Sequence, residues 1–240
     1  PYYYESRITG GNMLMQTELL NLAPWGGFAP STSSYTYGNM YNLTPYVYVA
    51  TGFDKTIWPR LNYLFEYTDP VAGIGYYRTI YAAFTGEEAL LNRAEAYIMK
   101  KEYDKALADM NLWTANTLNA ARCNPVLTAE SIQAWADGME YYTDDAPTPK
   151  KALNPILTTI DDAQMEAFVH AILYIRRVEF YMMGMRWFDV KRYGIEITRR
   201  KLGTTLEVLE TYDRLTKDDE RRALQLPKDV ITAGLTPNPR

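Results

Sequence analysis

The 240-residue chain has one cysteine, Cys123, and one histidine, His170. A lone thiol closes no internal disulfide and, without a second thiolate, builds no cysteine-type metal site. One imidazole leaves a Ser-His-Asp or Cys-His triad a single possible base, and it excludes sites that need two, such as His-Glu-x-x-His. Positive charge is not in excess either: 25 Lys+Arg against 29 Asp+Glu give a net charge of −4. That argues against a surface built to neutralise phosphates, and so against nucleic acid as a partner. No apolar run approaches the ~18 residues of a membrane span. The chain opens at Pro1 with Tyr2-Tyr3-Tyr4 and lacks the basic start and apolar stretch of a signal peptide. It is expected to be a mature chain or a fragment, soluble as it stands.

What is present is apolar and aromatic. A hydrophobic share of 47% with 22% charged residues excludes a disordered chain. The length allows one large domain or two coupled small ones. Charge is distributed unevenly, because from Ile8 to Phe53 the only charged residue is Glu18, while Tyr, Asn, Ser, Thr and Gly are dense. Gly26-Gly27, Ser31-Thr32-Ser33-Ser34 and Gly38 break any long helix there, so residues 1–84 are expected to be loops with short strands, one over Tyr77–Phe84. Gly73-Ile74-Gly75 has Arg78 where a dinucleotide site would have its third glycine, and no helix opens there.

After Phe84 the period becomes helical. Thr85-Gly86-Glu87-Glu88 has the form of a capping box, and Leu90, Leu91, Ala94, Tyr97 and Ile98 then recur at three- and four-residue steps as far as Lys100-Lys101. A second helix is expected from Tyr103 to Ala121, with Ala106, Leu107, Met110, Leu112 and Trp113 inward and an antiparallel packing on the first. Small residues at the crossing and tyrosines beside them match a tetratricopeptide helix pair over residues 85–122, in a single copy. Residues 123–160 are an irregular excursion marked by Asn124-Pro125, Asp144-Asp145, Pro147, Pro149 and Asn154-Pro155, with a short helix at Ser131–Tyr141. A third long helix starts at Asp161-Asp162 and runs to a kink or end at Gly184. Further turns over Arg186–Tyr193 and an extended tail through Pro237-Asn238-Pro239 complete residues 161–240.

Measured from Met165 at about 100° per residue, Arg176 falls at about 20° and Glu179 at about −40°, inside the apolar stripe. Buried charges require partners, and the spacing predicts Arg176 with Glu179 at i,i+3 plus further acceptors. Arg186 and Asp189 repeat that spacing. All four are expected to lock the packing as structural ion pairs. His170 falls at about 140°, off the stripe, and is expected to be solvated or partly packed. Asp161-Asp162 suits a helix start better than glycosidase work, for which two acids must face each other at about 5 to 5.5 Å or about 6.5 to 9.5 Å. No catalytic set, metal set or cofactor signature emerges.

The run from Arg176 to Gly194, Arg-Arg-Val-Glu-Phe-Tyr-Met-Met-Gly-Met-Arg-Trp-Phe-Asp-Val-Lys-Arg-Tyr-Gly, closely resembles the hallmark helix of SusD/RagB-like outer-membrane nutrient-binding lipoproteins. Arg93-Ala94-Glu95-Ala96-Tyr97 is similar to that family's upstream helix, and Leu226-Pro227 with Asn238-Pro239 to its C-terminal pattern. Acids that the family carries stand here as Ile175 and Met183. The resemblance implies a mainly α fold: a tetratricopeptide-like hairpin and long helices, part of a SusD-like α/α superhelix, supporting a loop-rich ligand-facing region with short strands, all one domain. It implies non-catalytic capture of an oligosaccharide or peptide on the extracellular face of the outer membrane, and delivery to a SusC-like TonB-dependent transporter. Membrane attachment would come through a lipid anchor outside this chain.

The nearly uncharged, ring-rich region suits such a ligand independently, since sugar CH faces pack on aromatic rings and hydroxyls seek amide and hydroxyl partners. Trp25, between Pro24 and Gly26-Gly27, and Trp58, before Pro59-Arg60, are expected platforms. Tyr37, Asn39, Tyr41 and Asn42 alternate rings and amides in one loop. The rival readings are a tetratricopeptide scaffold that grips partner peptides and a glycan-active hydrolase.

Overall fold

The computed structural model of the chain describes residues 64–78, 84–118, 120–121, 124–146, 148, 150–180, 184–203 and 207–239. Among these are six helices and two small two-stranded antiparallel sheets, a mixed and mostly helical arrangement. They divide into two compact units, one ending at Trp135 and one beginning at Ala136.

In the first unit, strand β1 (Leu64–Asp69) pairs with β2 (Ile74–Arg78). Asp69 closes the turn between them by accepting from the amides of Val71 and Ala72, both at 3.0 Å. Of the strand expected at Tyr77–Phe84, Tyr77 and Arg78 belong to β2, and residues 79–83 lie outside the described residues. Helix α1 (Gly86–Met99) starts as its sequence predicts, with the Thr85 hydroxyl accepting from the Glu88 amide at 3.2 Å. It stops in a Schellman geometry: the Lys101 amide donates to the Ile98 carbonyl and the Glu102 amide to Tyr97, both at 2.9 Å. The residue that takes the left-handed backbone there is Lys101, at φ +58°.

Helix α2 (Tyr103–Thr117) folds back on α1 after this turn. Ala94 and Ala106 are completely buried, as expected of small residues at a close crossing, with Leu91, Ile98, Met110 and Trp113 buried beside them. Leu112, expected inward, is 52% exposed, because it lies about 100° round the helix from Trp113. The inward position goes instead to Asp109, which accepts from Arg93 Nε at 2.8 Å and from its Nη2 at 2.7 Å. The arginine of the Arg-Ala-Glu-Ala-Tyr run thus ties the two helices together. Helix α2 ends four residues short of Ala121, where Thr114, Asn116 and Thr117 crowd residues of low helix propensity. Asn111 then holds the following segment by bonding both the carbonyl (2.9 Å) and the amide (2.7 Å) of Leu127.

Helix α3 (Ala129–Asp137) begins two residues before Ser131, because Thr128 and Ser131 exchange hydroxyl-to-amide bonds at its start. Helix α4 (Ala163–Glu179) is capped by Asp162, whose carboxylate accepts from the Met165 amide at 2.7 Å. Its expected continuation towards Gly184 stops at Glu179, with Phe180 as the cap. Nearly every face of α4 is buried, including Phe168, Val169, Ile172 and Ile175 at 0% exposure. Burying each such side chain stabilises the fold by about 1.5–3 kcal/mol. Helix α5 (Arg186–Arg192) follows, close to the expected Arg186–Tyr193.

The C-terminal part is more ordered than an extended tail. Strands β3 (Ile197–Leu202) and β4 (Val208–Leu215) form a hairpin, followed by a 3-10 turn (Glu220–Arg222) and helix α6 (Lys228–Thr232). The cation-rich segment Thr198-Arg199-Arg200-Lys201 gives no strand signal by residue type. It is held by pairing, with Arg199 Nη1 3.8 Å from its cross-strand partner Asp213. Arg222 is buried and donates to the carbonyls of Thr216 (2.6 Å), Val190 (3.0 Å) and Ile195 (2.6 Å). Beyond α6, Gln225 clasps the backbone of Asn238, giving 3.1 Å to its carbonyl and taking 2.8 Å from its amide.

Candidate functional site

Of the expected site residues, Trp25, Tyr37, Asn39, Tyr41, Asn42 and Trp58 lie outside the described residues. The described part of the aromatic region is the β1–β2 hairpin, where Phe65, Tyr67 and Tyr76 are partly exposed to solvent. Tyr67 is 57% exposed, Tyr76 44% and Phe65 36%. Phe65 and Tyr67, two apart on β1, share one face of the pleat and meet edge to face with ring centroids 4.7 Å apart.

Opposite Tyr67 stands Gly75. A Cβ there would lie 2.2 Å from the Glu66 carbonyl oxygen and 2.8 Å from Phe65 Cε1. Glycine is what lets the Phe65 ring lie across the partner strand. The Gly73-Ile74-Gly75 run is therefore hairpin and ring seat. The pair offers an apolar platform with the Tyr67 hydroxyl, whereas Glu66 and its cross-strand partner Tyr76 take the opposite face of the pleat. A partly exposed ring pair suits a ligand with CH faces to lay against it. Its sequence signal was Phe65-Glu66-Tyr67 alternation set against Tyr76-Tyr77 across an Asp-Pro turn.

Of the four residues expected as structural ion pairs, Arg176, Glu179 and Asp189 are buried. Arg176 and Glu179 are 3% and 2% exposed, so the inward placement read from the helix period holds. The salt bridge shown for Arg176 crosses to α5: its Nε lies 3.1 Å from Asp189 Oδ1 and 3.4 Å from Oδ2. Helix α5 thus delivers a further acceptor, Asp189, directly to the guanidinium. Asp189 also accepts from Arg192 Nη2 at 2.8 Å, so it pairs with Arg176 and Arg192 where the spacing predicted Arg186. Arg186 has its Nη1 sealed from water and without a hydrogen-bond partner.

His170 is not solvated. It is 5% exposed, because α4 is buried on almost all sides and angular position no longer decides exposure. Its Nε2 lies 3.7 Å from Glu166 Oε1, an oxygen that accepts from the Tyr141 hydroxyl at 2.5 Å. Burial pushes the imidazole down to about 4, against the pull of Glu166 and with help from the charges of Lys150 and Arg186. The same kind of desolvation, with Glu166 as a second cause, pushes the Tyr141 phenol up to about 12. Two of the acids in the Asp144-Asp145 and Asp161-Asp162 segments have partners in the structure. Asp162 caps α4, and Asp144 binds Arg214 at 2.5 Å. Among the described residues no group of three or more His, Cys, Asp or Glu side chains is placed to hold a metal ion, and no helix is long and apolar enough to cross a membrane.

Compared with known proteins, the chain matches no family model, no curated protein and no solved structure.

Proposed function

We propose that this chain captures an oligosaccharide or peptide without altering it and hands it to a SusC-like TonB-dependent transporter, as the C-terminal portion of a SusD/RagB-like lipoprotein on the extracellular face of the outer membrane. Its helices would form part of the α/α superhelix of such a protein. The observation that carries the capture reading is the solvent-facing Phe65–Tyr67 ring pair seated over Gly75. Phe65 keeps 36% and Tyr67 57% of its surface in water, and that uncovered ring surface fits a ligand that packs against it. The supports for the family reading are the three sequence runs in family order, the α1–α2 pair with its two buried alanines, and the charged pair sealed between α4 and α5.

The test begins with a glycan and peptide array on the full chain. The best hit is then titrated by calorimetry into wild type and a Phe65→Ala/Tyr67→Ala variant. Loss of the ring pair is expected to weaken binding about tenfold or more, with the ligand recovered chemically intact. Unchanged affinity removes the hairpin from the site, and a cleaved ligand replaces capture by hydrolysis. Co-purification with a soluble partner in place of a TonB-dependent transporter would favour the scaffold reading.

A further inference from the structure

One carboxylate oxygen in the second unit faces two donors and serves one of them. Glu166 Oε1 accepts from the Tyr141 hydroxyl at 2.5 Å, while His170 Nε2 lies 3.7 Å from the same oxygen, too far for a hydrogen bond. That nitrogen is sealed from water and has no hydrogen-bond partner. His170 is 5% exposed and Tyr141 44%, and their rings meet edge to face with centroids 6.5 Å apart. The imidazole is thus the inner claimant on the carboxylate and the phenol the outer one.

Three elements bring charge to this place. Glu166 and His170 stand four apart on one face of α4. Tyr141 and Lys150 come from the irregular segment after α3, where Lys150 Nζ lies 4.6 Å above the Tyr141 ring and donates to the Ala136 and Met139 carbonyls at 2.8 and 3.4 Å. Arg186 belongs to α5. Burial first, then the fields of Lys150 and Arg186, push the imidazole down to about 4 against the pull of Glu166. A neutral imidazole has a single N–H and leaves the oxygen to the phenol. An imidazolium has two, and the one on Nε2 stays buried without an acceptor unless Glu166 turns towards it. A bond between opposite charges out of water outweighs a neutral phenol's bond to the same carboxylate.

We propose that Tyr141 and His170 compete for Glu166, so that a proton taken up by the imidazole swings the carboxylate inward and releases the Tyr141 phenol to solvent. The change is local. The loop that carries Tyr141 keeps its own closure, from the Tyr142 amide to the Lys150 carbonyl at 2.7 Å, and stays tied to the β3–β4 hairpin through Asp144 and Arg214 at 2.5 Å. All of these groups lie within the second unit, so the competition stands whether or not the β1–β2 hairpin binds a glycan.

His170 is the single histidine of the chain, so its ring signals are unambiguous in NMR spectra of the full chain. They are titrated with acid in wild type and in Tyr141→Phe, a variant that keeps the ring at a partly exposed position and removes only the outer donor. Competition predicts a higher His170 midpoint in Tyr141→Phe, by about half a unit to one unit, since the imidazolium no longer has to displace the phenol. Wild type gives a second readout. The Tyr141 hydroxyl and ring signals should change with the same midpoint as His170, and that step should vanish from Tyr141 in His170→Gln. An unchanged or lowered His170 midpoint in Tyr141→Phe overturns the proposal. So do Tyr141 signals that stay fixed while the imidazole titrates, or that move in the same way in His170→Gln.

Discussion

Arg176 Nε lies 3.1 Å from Asp189 Oδ1, with the two side chains 3% and 2% exposed, so a charge pair shut away from water joins α4 to α5. Removing one member takes a buried charge partner from the other, although Asp189 keeps Arg192 at 2.8 Å. Asp189→Ala or Arg176→Ala is expected to cost about 3–5 kcal/mol, whereas Arg176→Met with Asp189→Leu recovers most of that loss by replacing the pair with packed apolar atoms. Urea unfolding of the two single variants and the double, arranged as a mutant cycle, gives the coupling. A double variant no more stable than either single would show that the pair does not act as a unit.

Lys101 occupies a left-handed backbone position at φ +58° with both Schellman hydrogen bonds formed. A side chain there costs about 1–2 kcal/mol that glycine does not incur, partly offset by the greater freedom of glycine in the unfolded chain. Lys101→Gly is expected to raise stability by about 0.5–1 kcal/mol, read as a higher urea midpoint with unchanged slope. A lower midpoint would contradict the strain.

His170 sets a pH window. Its folded value is down to about 4, and an unfolded imidazole titrates at about 6.5. As pH falls through that interval the unfolded chain takes up the proton first, so stability is full above about 6.5 and is progressively lost towards pH 4. The loss attributable to this group is about 2–3 kcal/mol. Glu166, Lys150 and Arg186 are the charges that face it. His170→Gln is expected to flatten the curve over this range in denaturant melts taken at several pH values. An unchanged slope would show that other groups set the acid limb.

Gly75 is a test of the ring seat. An added Cβ would fall 2.2 Å from a backbone oxygen, which cannot move aside as a side-chain tip can. Gly75→Ala is expected to cost about 1–3 kcal/mol of local stability, seen as lost amide protection over residues 64–78, and to dissolve the close Phe65–Tyr67 ring contact in NMR spectra. Retention of both would show the hairpin to be more compliant than its geometry suggests.

Helix starts were legible because they rest on local chemistry. Thr85 and Asp162 cap the helices that their positions announce, and Ala94 and Ala106 mark the crossing. The inward turn of Arg176 and Glu179 followed from periodicity alone. What periodicity does not carry is the identity of a partner on another element: Asp189 for Arg176, Asp109 for Arg93, three carbonyls for Arg222. The β3–β4 hairpin escaped for a related reason, since its strands are charged and are specified by each other. His170 was misplaced because an angular rule assumes one wet side, and α4 has almost none.

Arg222 also bears on the order in which the second unit can be completed. The carbonyls of Val190 and Ile195 that it satisfies are made about thirty residues earlier on the ribosome. Until Arg222 emerges, the Ile195 carbonyl lacks this donor, while the Val190 carbonyl has the Ile195 amide at 3.0 Å. A chain cut before Arg222 is therefore expected to leave the packing between α5 and β4 incomplete.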